Sequence, residues 1–141
     1  MRARLLSLLG ALALAILTLA SAPTVDAAID VAKQVLIGSD YSDKDLRGAS
    51  LYGAKLQDAD LSNTDLREAT LDSAVLTGTN LSGAVLEGAF AFNTRFKDVV
   101  INGTDFTDVP MRGDQLKSLC AVAEGSNPVT GRSTRDSLGC S

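Results

Sequence analysis

A five-residue period runs without a break from Lys44 to Asp108, and it limits what this chain can fold into. Thirteen consecutive blocks, from KDLRG to TDFTD, each have an apolar centre, which is leucine in the first nine. A small or short residue, mostly Ala or Thr, stands two positions before each centre. Because the register holds over 65 residues, the period must reflect a repeated geometry.

Neither regular element accommodates a period of five. On an α-helix, five residues overshoot a full turn by roughly 140°, so the leucines would spread around the whole cylinder. On a single long strand, successive leucines would point to opposite faces. A short extended step followed by a corner in every block keeps all of them on one side. Four corners then close a coil of about twenty residues, and coils stack at roughly 4.8 Å.

The corner positions support this geometry. Two residues after the centre, twelve of the thirteen blocks have Gly, Asp, Asn or Ser, and the exception is Glu68. Glycine tolerates positive φ, and the short polar side chains bond to nearby backbone in turns. The sequence therefore predicts an all-β solenoid with leucines inside and their immediate neighbours outside.

The blocks resemble the pentapeptide-repeat family, whose pattern is A-(D/N)-L-x-x. The block ADLSN fills the three defined positions with Ala59, Asp60 and Leu61. Some blocks depart from the pattern at outward or edge positions, namely at Lys44, Ser50, Lys55 and Val75. The resemblance implies a right-handed quadrilateral β-helix over residues 44–113. It implies a scaffold without specifying its function.

Residues 1–27 have a different composition. Arg2 and Arg4 precede an almost wholly apolar run over residues 5–20, which is typical of a secretory signal peptide. The run is shorter than the roughly 20 residues of a spanning helix, which favours cleavage over a retained membrane anchor. We expect cleavage after Ala27 and no membrane insertion of the mature chain.

Residues 28–43 are interpreted as an N-terminal cap over the open end of the solenoid. Their first part, AIDVAKQVLI, allows two structures: a short helix from Asp30 to Gly38, or the first strand of the coil, since Leu36 and Tyr41 keep the register. Solenoids need covered ends because an open end exposes core side chains and unpaired backbone.

Residues 114–141 are predicted to be a helical C-terminal cap. Asp114 is a suitable N-cap, and Leu116, Leu119, Cys120 and Ala123 recur at helical spacing. A capping-box pattern at Ser133 predicts one further helical turn to Leu138.

The only two cysteines, Cys120 and Cys140, are expected to form a disulfide. An exported chain without a metal-binding cysteine motif favours pairing over two free thiols. The segment from Leu119 to Cys140 also resembles the tail of exported pentapeptide-repeat proteins of the thylakoid lumen. This resemblance implies a location in the thylakoid lumen. The signal peptide taken alone also allows a periplasm.

The chain offers little for catalysis. It has no His, and its Ser and Thr residues have no evident base partner. We predict no cofactor and no metal. Stacked carboxylates such as Asp45 over Asp65 suggest a Ca²⁺ site, but alternation with Arg47 and Arg67 favours a solvated ion-pair lattice.

Three functions remain from these observations. The preferred one is a non-catalytic exported scaffold that binds an unknown protein partner. A DNA-mimic inhibitor of a topoisomerase, as some family members are, conflicts with the signal peptide and the short rod. The third function is an enzyme whose active site is not recognised, and for it the sequence offers no evident general base. Nucleic acid is disfavoured as a ligand because the residues after position 27 have a net charge of about −5.

Outward aromatic residues mark a candidate interaction patch of Tyr52, Phe90 and Phe92, which a twenty-residue coil would place on one face. Three explanations are open. The C-terminal tail folds back over the rings, a bulge turns one Phe inward in place of Ala91, or the rings are anchors for a partner.

Overall fold

The computed structural model describes residues 28–141; the predicted signal peptide lies outside the described residues. The chain forms a β-helix solenoid in which twelve isolated parallel bridges join residues twenty apart, from Asp30–Ser50 to Val85–Asp105. Each pairing is a single bridge followed by a turn, so the described part contains bridges in place of long strands. No helix within residues 28–141 is long and apolar enough to cross a membrane.

Blocks that lie twenty residues apart stack in four columns. The central residues are Val31, Leu51, Leu71 and Ala91 in the first column; Leu36, Leu56, Leu76 and Phe96 in the second; Tyr41, Leu61, Leu81 and Ile101 in the third; and Leu46, Leu66, Leu86 and Phe106 in the fourth. The outward side chains of a column are those on either side of these centres.

Main-chain hydrogen bonds join the coils. The Leu51 N–H donates to the Thr70 carbonyl at 2.8 Å, and the Thr70 N–H donates to the Ala49 carbonyl at 2.9 Å. The same pattern recurs in successive blocks. Because these bonds between coils join residues 19 or 21 positions apart, inserting or deleting one residue would shift all later side chains out of the core.

The interior is filled by the block centres and by the small residues before them. Leucines 51 to 86 are buried, as are the alanines that precede them. Where Thr replaces Ala, its hydroxyl finds a carbonyl: Thr79 donates to Leu56, Thr94 to Leu71 and Thr104 to Leu81, each at 2.7 Å. A buried hydroxyl with such a partner avoids most of its desolvation cost.

The corners have the expected left-handed backbone, with the exception of Asn93. Even Glu68, the one unfavourable residue, has φ of 59°. At Gly103, with φ of 70°, a Cβ would lie 2.8 Å from the Ser126 carbonyl oxygen, so glycine also permits close approach of the C-terminal tail.

Residues 28–43, which we interpret as an N-terminal cap, continue the solenoid. Bridges begin at Asp30, and of the two structures considered for residues 28–37 the chain adopts the coil and not the helix. The five-residue register continues into this segment, which therefore forms the first coil, and its role as a cap stays a prediction. Val31, Leu36 and Tyr41 are consequently only partly buried.

Two helices follow the solenoid, α1 at Gly113–Val122 and α2 at Thr134–Leu138. The prediction of Asp114 as N-cap was wrong: Arg112 occupies that position without a side-chain cap, and Asp114 lies in the first turn, where its charge suits the helix dipole. Ser133 is the N-cap of α2 as predicted, since its Oγ accepts from the Asp136 N–H at 3.0 Å, which is one of the two bonds of a capping box.

The segment after the solenoid supplies oxygens to main-chain N–H groups of the last coil. Phe96 donates to Gln115 Oε1 at 2.9 Å, Gly103 to the Glu124 carbonyl at 3.0 Å, and Phe106 to Ser137 Oγ at 2.9 Å. Leu119 and Leu138 are buried within the same core.

Two features fix the tail. The predicted disulfide is confirmed, because Cys120 of α1 is bonded to Cys140 after α2. The buried Asn127 side chain donates to the carbonyls of Ala84 and Gly103 at 3.0 and 2.9 Å. The tail therefore lies against the corner between the third and fourth columns.

Ala91 is fully buried at a position where the coil below has Leu71. In the same coil the rings of Phe96 and Phe106 pack edge to face, with centroids 6.1 Å apart. We predict that these rings fill the volume, so Ala91→Leu overpacks the core and lowers the unfolding free energy by about 1–3 kcal/mol. Chemical denaturation measures this. Ala121→Leu at an exposed helix position is the control, with a change within about 0.5 kcal/mol. A more stable Ala91→Leu protein would contradict the prediction.

Candidate functional site

Phe90 and Phe92 project from the last coil of the first column, and 60% and 53% of their surfaces are exposed. Ala91 between them is fully buried. The main chain of Phe90 bridges to Thr70 in register. The bulge explanation is therefore wrong, because neither ring takes the place of Ala91 inside.

The C-terminal tail does not cover these rings. It packs on the fourth column, where Thr130 Oγ1 donates to Asp105 at 2.7 Å and Arg132 pairs with Glu87 at 3.0 Å. Asn127 holds it there through main-chain carbonyls. The expectation of a self-covering tail was wrong, and the two rings are exposed within residues 28–141.

Tyr52 belongs to the same column but not to a continuous patch with the phenylalanines. It is 42% exposed and stands two coils below Phe92, a distance of roughly 10 Å at the strand spacing. The intervening outward position is Asp72, whose carboxylate accepts a hydrogen bond from the Asn93 N–H at 2.9 Å. The structure thus brings Phe90 and Phe92 together and leaves Tyr52 apart.

The fourth column has a lattice of ion pairs. Arg47 pairs with Asp45 at 2.6 Å and reaches Asp65 of the next coil at 3.7 Å, and Arg67 pairs with Asp65 at 2.7 Å. The hydrogen bond from the Arg47 side chain lowers the pKa of Asp45 to about 2. Within residues 28–141 no three His, Cys, Asp or Glu side chains are grouped to hold a metal ion.

Asp105 is the buried carboxylate of the fourth column. Burial raises its pKa, but hydrogen bonds from the side chains of Thr107 and Thr130 and the charge of Arg132 outweigh burial, and the net pKa is lowered. The carboxylate is therefore ionised and holds the tail, which makes its role structural.

Sequence analysis did not single out Arg95 and Lys97, the outward residues of the last block in the second column. The sequence did show that these two cations flank Phe96, a block centre, and therefore point outward side by side. What the sequence lacked was the position of α1, which lies beside them and forms a cleft.

Comparison with known proteins agrees with the geometry. The profile of the Pentapeptide repeats family matches in overlapping segments, at residues 35–67, 49–88 and 74–113, which together cover more than half of the chain. The chain belongs to the pentapeptide-repeat family. The resemblance predicted from its blocks is confirmed.

Relatives of this pentapeptide-repeat protein include two from Arabidopsis thaliana. Thylakoid lumenal 15 kDa protein 1 is 58% identical over 48 residues, which are 34% of this chain and 21% of that protein. Thylakoid lumenal protein TL20.3 is 50% identical over 40 residues, which are 28% of this chain and 14% of that protein. The matches thus span about a fifth or less of these relatives.

A crystal structure of a pentapeptide repeat protein from the Arabidopsis thaliana thylakoid lumen is similar over more of the length. It is 46% identical and has a TM-score of 0.52, covering 79% of this chain and 85% of that one. These relatives confirm the prediction of an exported protein of the thylakoid lumen or a periplasm.

The lowered pKa values predict how this pentapeptide-repeat protein responds to acid. A carboxylate with a lowered folded pKa stabilises the fold above its usual pKa of 3.8, and this contribution is lost as pH falls, for Asp45 towards about 2. We expect the unfolding free energy to be flat between about pH 7 and 5 and to fall between about pH 4 and 2. In Arg47→Gln the fall should be shallower, which denaturation at stepped pH measures. An unchanged slope in that variant would contradict the assignment.

Proposed function

We propose that this protein is a non-catalytic interaction scaffold of the thylakoid lumen that docks a partner protein through Phe90 and Phe92. The observation that carries the proposal is a pair of exposed phenylalanines flanking a fully buried alanine. Exposed apolar patches on soluble proteins often mark contact sites.

The backbone beneath the rings supports a docking role. Phe90 N–H donates to the Ala69 carbonyl at 2.9 Å, and the Phe90 carbonyl accepts from Leu71 N–H at 2.7 Å. A fixed main chain lowers the entropy lost on binding, and aromatic anchors contribute strongly to interface hot spots. Tyr52, which stands apart, would contact only a partner that extends down the column.

The absence of catalysis and cofactors is part of the proposal. The sequence has no His, and the carboxylates with lowered pKa values, Asp40, Asp45, Asp65 and Asp105, are engaged with Ser, Arg or Thr side chains. A carboxylate whose pKa is lowered is a weaker general base for a neighbouring hydroxyl. The negative net charge favours a protein partner over a nucleic acid.

Export to the lumen rests on the relatives and on the N-terminal sequence. We infer removal of residues 1–27 as a signal peptide and a mature chain that starts at Ala28. The lumen is favoured over a periplasm because the relatives named above are lumenal proteins of Arabidopsis.

The right hand and the quadrilateral section of the coil are likewise proposals. Their support is the bridge spacing of twenty residues, which equals four five-residue blocks, and the family resemblance. The first coil starts at Asp30, so the repeat region is proposed to extend beyond residues 44–113 towards the N-terminus.

Replacing Phe90 and Phe92 by Ser tests the docking role. We expect the double variant to keep its melting temperature, because the rings are exposed, and to lose the partner captured from a lumenal extract by the parent protein. Quantitative mass spectrometry of the captured proteins gives the readout.

The matched control replaces Val35 and Ile37 by Ser. These side chains are 64% and 56% exposed and lie on the second column of the first coil, far from the phenylalanines. The control should retain the partner. A markedly lower melting temperature of the phenylalanine variant, or equal capture by both variants, would contradict docking through the rings.

A further inference from the structure

A cleft of about 400 Å³ lies between α1 and the last block of the second column. Its apolar lining comes from Phe96, Val99, Leu119 and Val122. Phe96 and Leu119 are buried at its base, whereas Val122 is 54% exposed at its wall. The bond from the Phe96 N–H to Gln115 Oε1 holds α1 over the cleft. The volume lies within the roughly 300–1,000 Å³ typical of ligand sites.

Two cations line this cleft, Arg95 and Lys97, and neither forms an ion pair within residues 28–141. Arg95 is unusual among the six arginines of residues 28–141. Four of the others form ion pairs with carboxylates, and the fifth, Arg135, donates to the Cys120 carbonyl. Within the described chain Arg95 forms neither kind of contact, although Asp98 lies on the same rim. Its five N–H donors are therefore available to a ligand.

The main chain at the cleft also has unused donors. At every other corner of the solenoid, the residue three after the centre donates its N–H back to the central carbonyl, as Thr104 does to Ile101 at 3.0 Å. The corner after Phe96 lacks this bond, so the Val99 N–H makes no main-chain hydrogen bond within residues 28–141. The Asp98 N–H has none either, whereas its counterpart Gly103 donates to Glu124.

We propose that this cleft binds an acidic peptide segment of the docked partner, with a carboxylate at Arg95 and Lys97 and an adjacent apolar side chain against Phe96 and Leu119. The proposal deepens the proposed function and rests on it. Guanidinium groups and main-chain N–H groups are the donors that carboxylates accept, and Arg binds them in two-point geometry. The last coil also presents Phe90 and Phe92 one block earlier, so one partner can reach both sites.

The concave shape and the mixed rim favour a peptide over a membrane or a nucleic acid. Binding to a flat anionic membrane surface requires several cations, each of which contributes about 1 kcal/mol of binding free energy. In the coils before Arg95, the second column has one outward cation, Lys55. The Asp98 carboxylate on the rim would repel a continuous phosphate backbone. A single carboxylate with an apolar neighbour fits both parts of the cleft.

Fluorescence anisotropy with the exported protein tests the proposal. The probe is a labelled, terminally blocked peptide with one carboxylate, Ala-Leu-Glu-Phe-Ala, compared with Ala-Leu-Gln-Phe-Ala. We expect saturable binding of the acidic peptide and at least about tenfold weaker binding of the neutral one, as loss of charged hydrogen bonds implies. In amide NMR spectra, the Asp98 and Val99 resonances should shift most.

Arg95→Glu should weaken acidic-peptide binding by about tenfold or more, with an unchanged melting temperature. The control Lys55→Glu makes the same charge change on the same column, two coils away, and should alter binding less than about twofold. Equal binding of both peptides, or equal effects of the two substitutions, would overturn the proposal. So would binding of dodecanoate or phosphatidylglycerol vesicles without binding of the peptide.

The variant with Phe90→Ser and Phe92→Ser separates this proposal from the docking role. It should still bind the acidic peptide. If it loses the lumenal partner while the parent protein fails to bind the peptide, the docking role stands and the cleft proposal fails.

Discussion

The ladder of main-chain hydrogen bonds between coils is the constraint on which the rest of this structure depends. The N–H and carbonyl groups of this ladder meet partners 19 or 21 residues away, so the register of one coil fixes that of the next. The leucines stay inside and the residues beside them outside for the whole rod. The outward side chains are thus held at fixed spacing without a large apolar core.

The first and last coils differ in how far other residues cover them, and the candidate functional residues lie on the last coil. At the first coil, Val31, Leu36 and Tyr41 are only partly buried by the described residues. At the last coil, Gln115, Glu124 and Ser137 supply oxygens to main-chain N–H groups. Closure is incomplete at the corner after Phe96, and both the exposed phenylalanines and the α1 cleft lie on this coil.

The sequence predicted what the period controls and missed what depends on single side chains. The buried leucines, the outward Phe90 and Phe92 and the corners follow from counting in fives. The path of the tail does not, because Asn127 binds carbonyls 24 and 43 residues away and no local pattern marks such a contact. Likewise, Arg95 is recognisable as unpartnered only once α1 has been positioned. Asp114 was misplaced by two residues because capping preferences leave a helix start uncertain by one or two residues.

Amide hydrogen exchange of the exported protein tests the ladder most directly. Protection factors report whether each N–H is bonded and how often that bond opens. The account predicts that Phe96, Gly103 and Phe106 are protected like Leu51 and Leu71 in the middle of the rod, and that Asp98 and Val99 exchange rapidly. If the amides of Phe96, Gly103 and Phe106 exchange as fast as those of Asp98 and Val99, the last coil is not closed by the tail, and the account is contradicted.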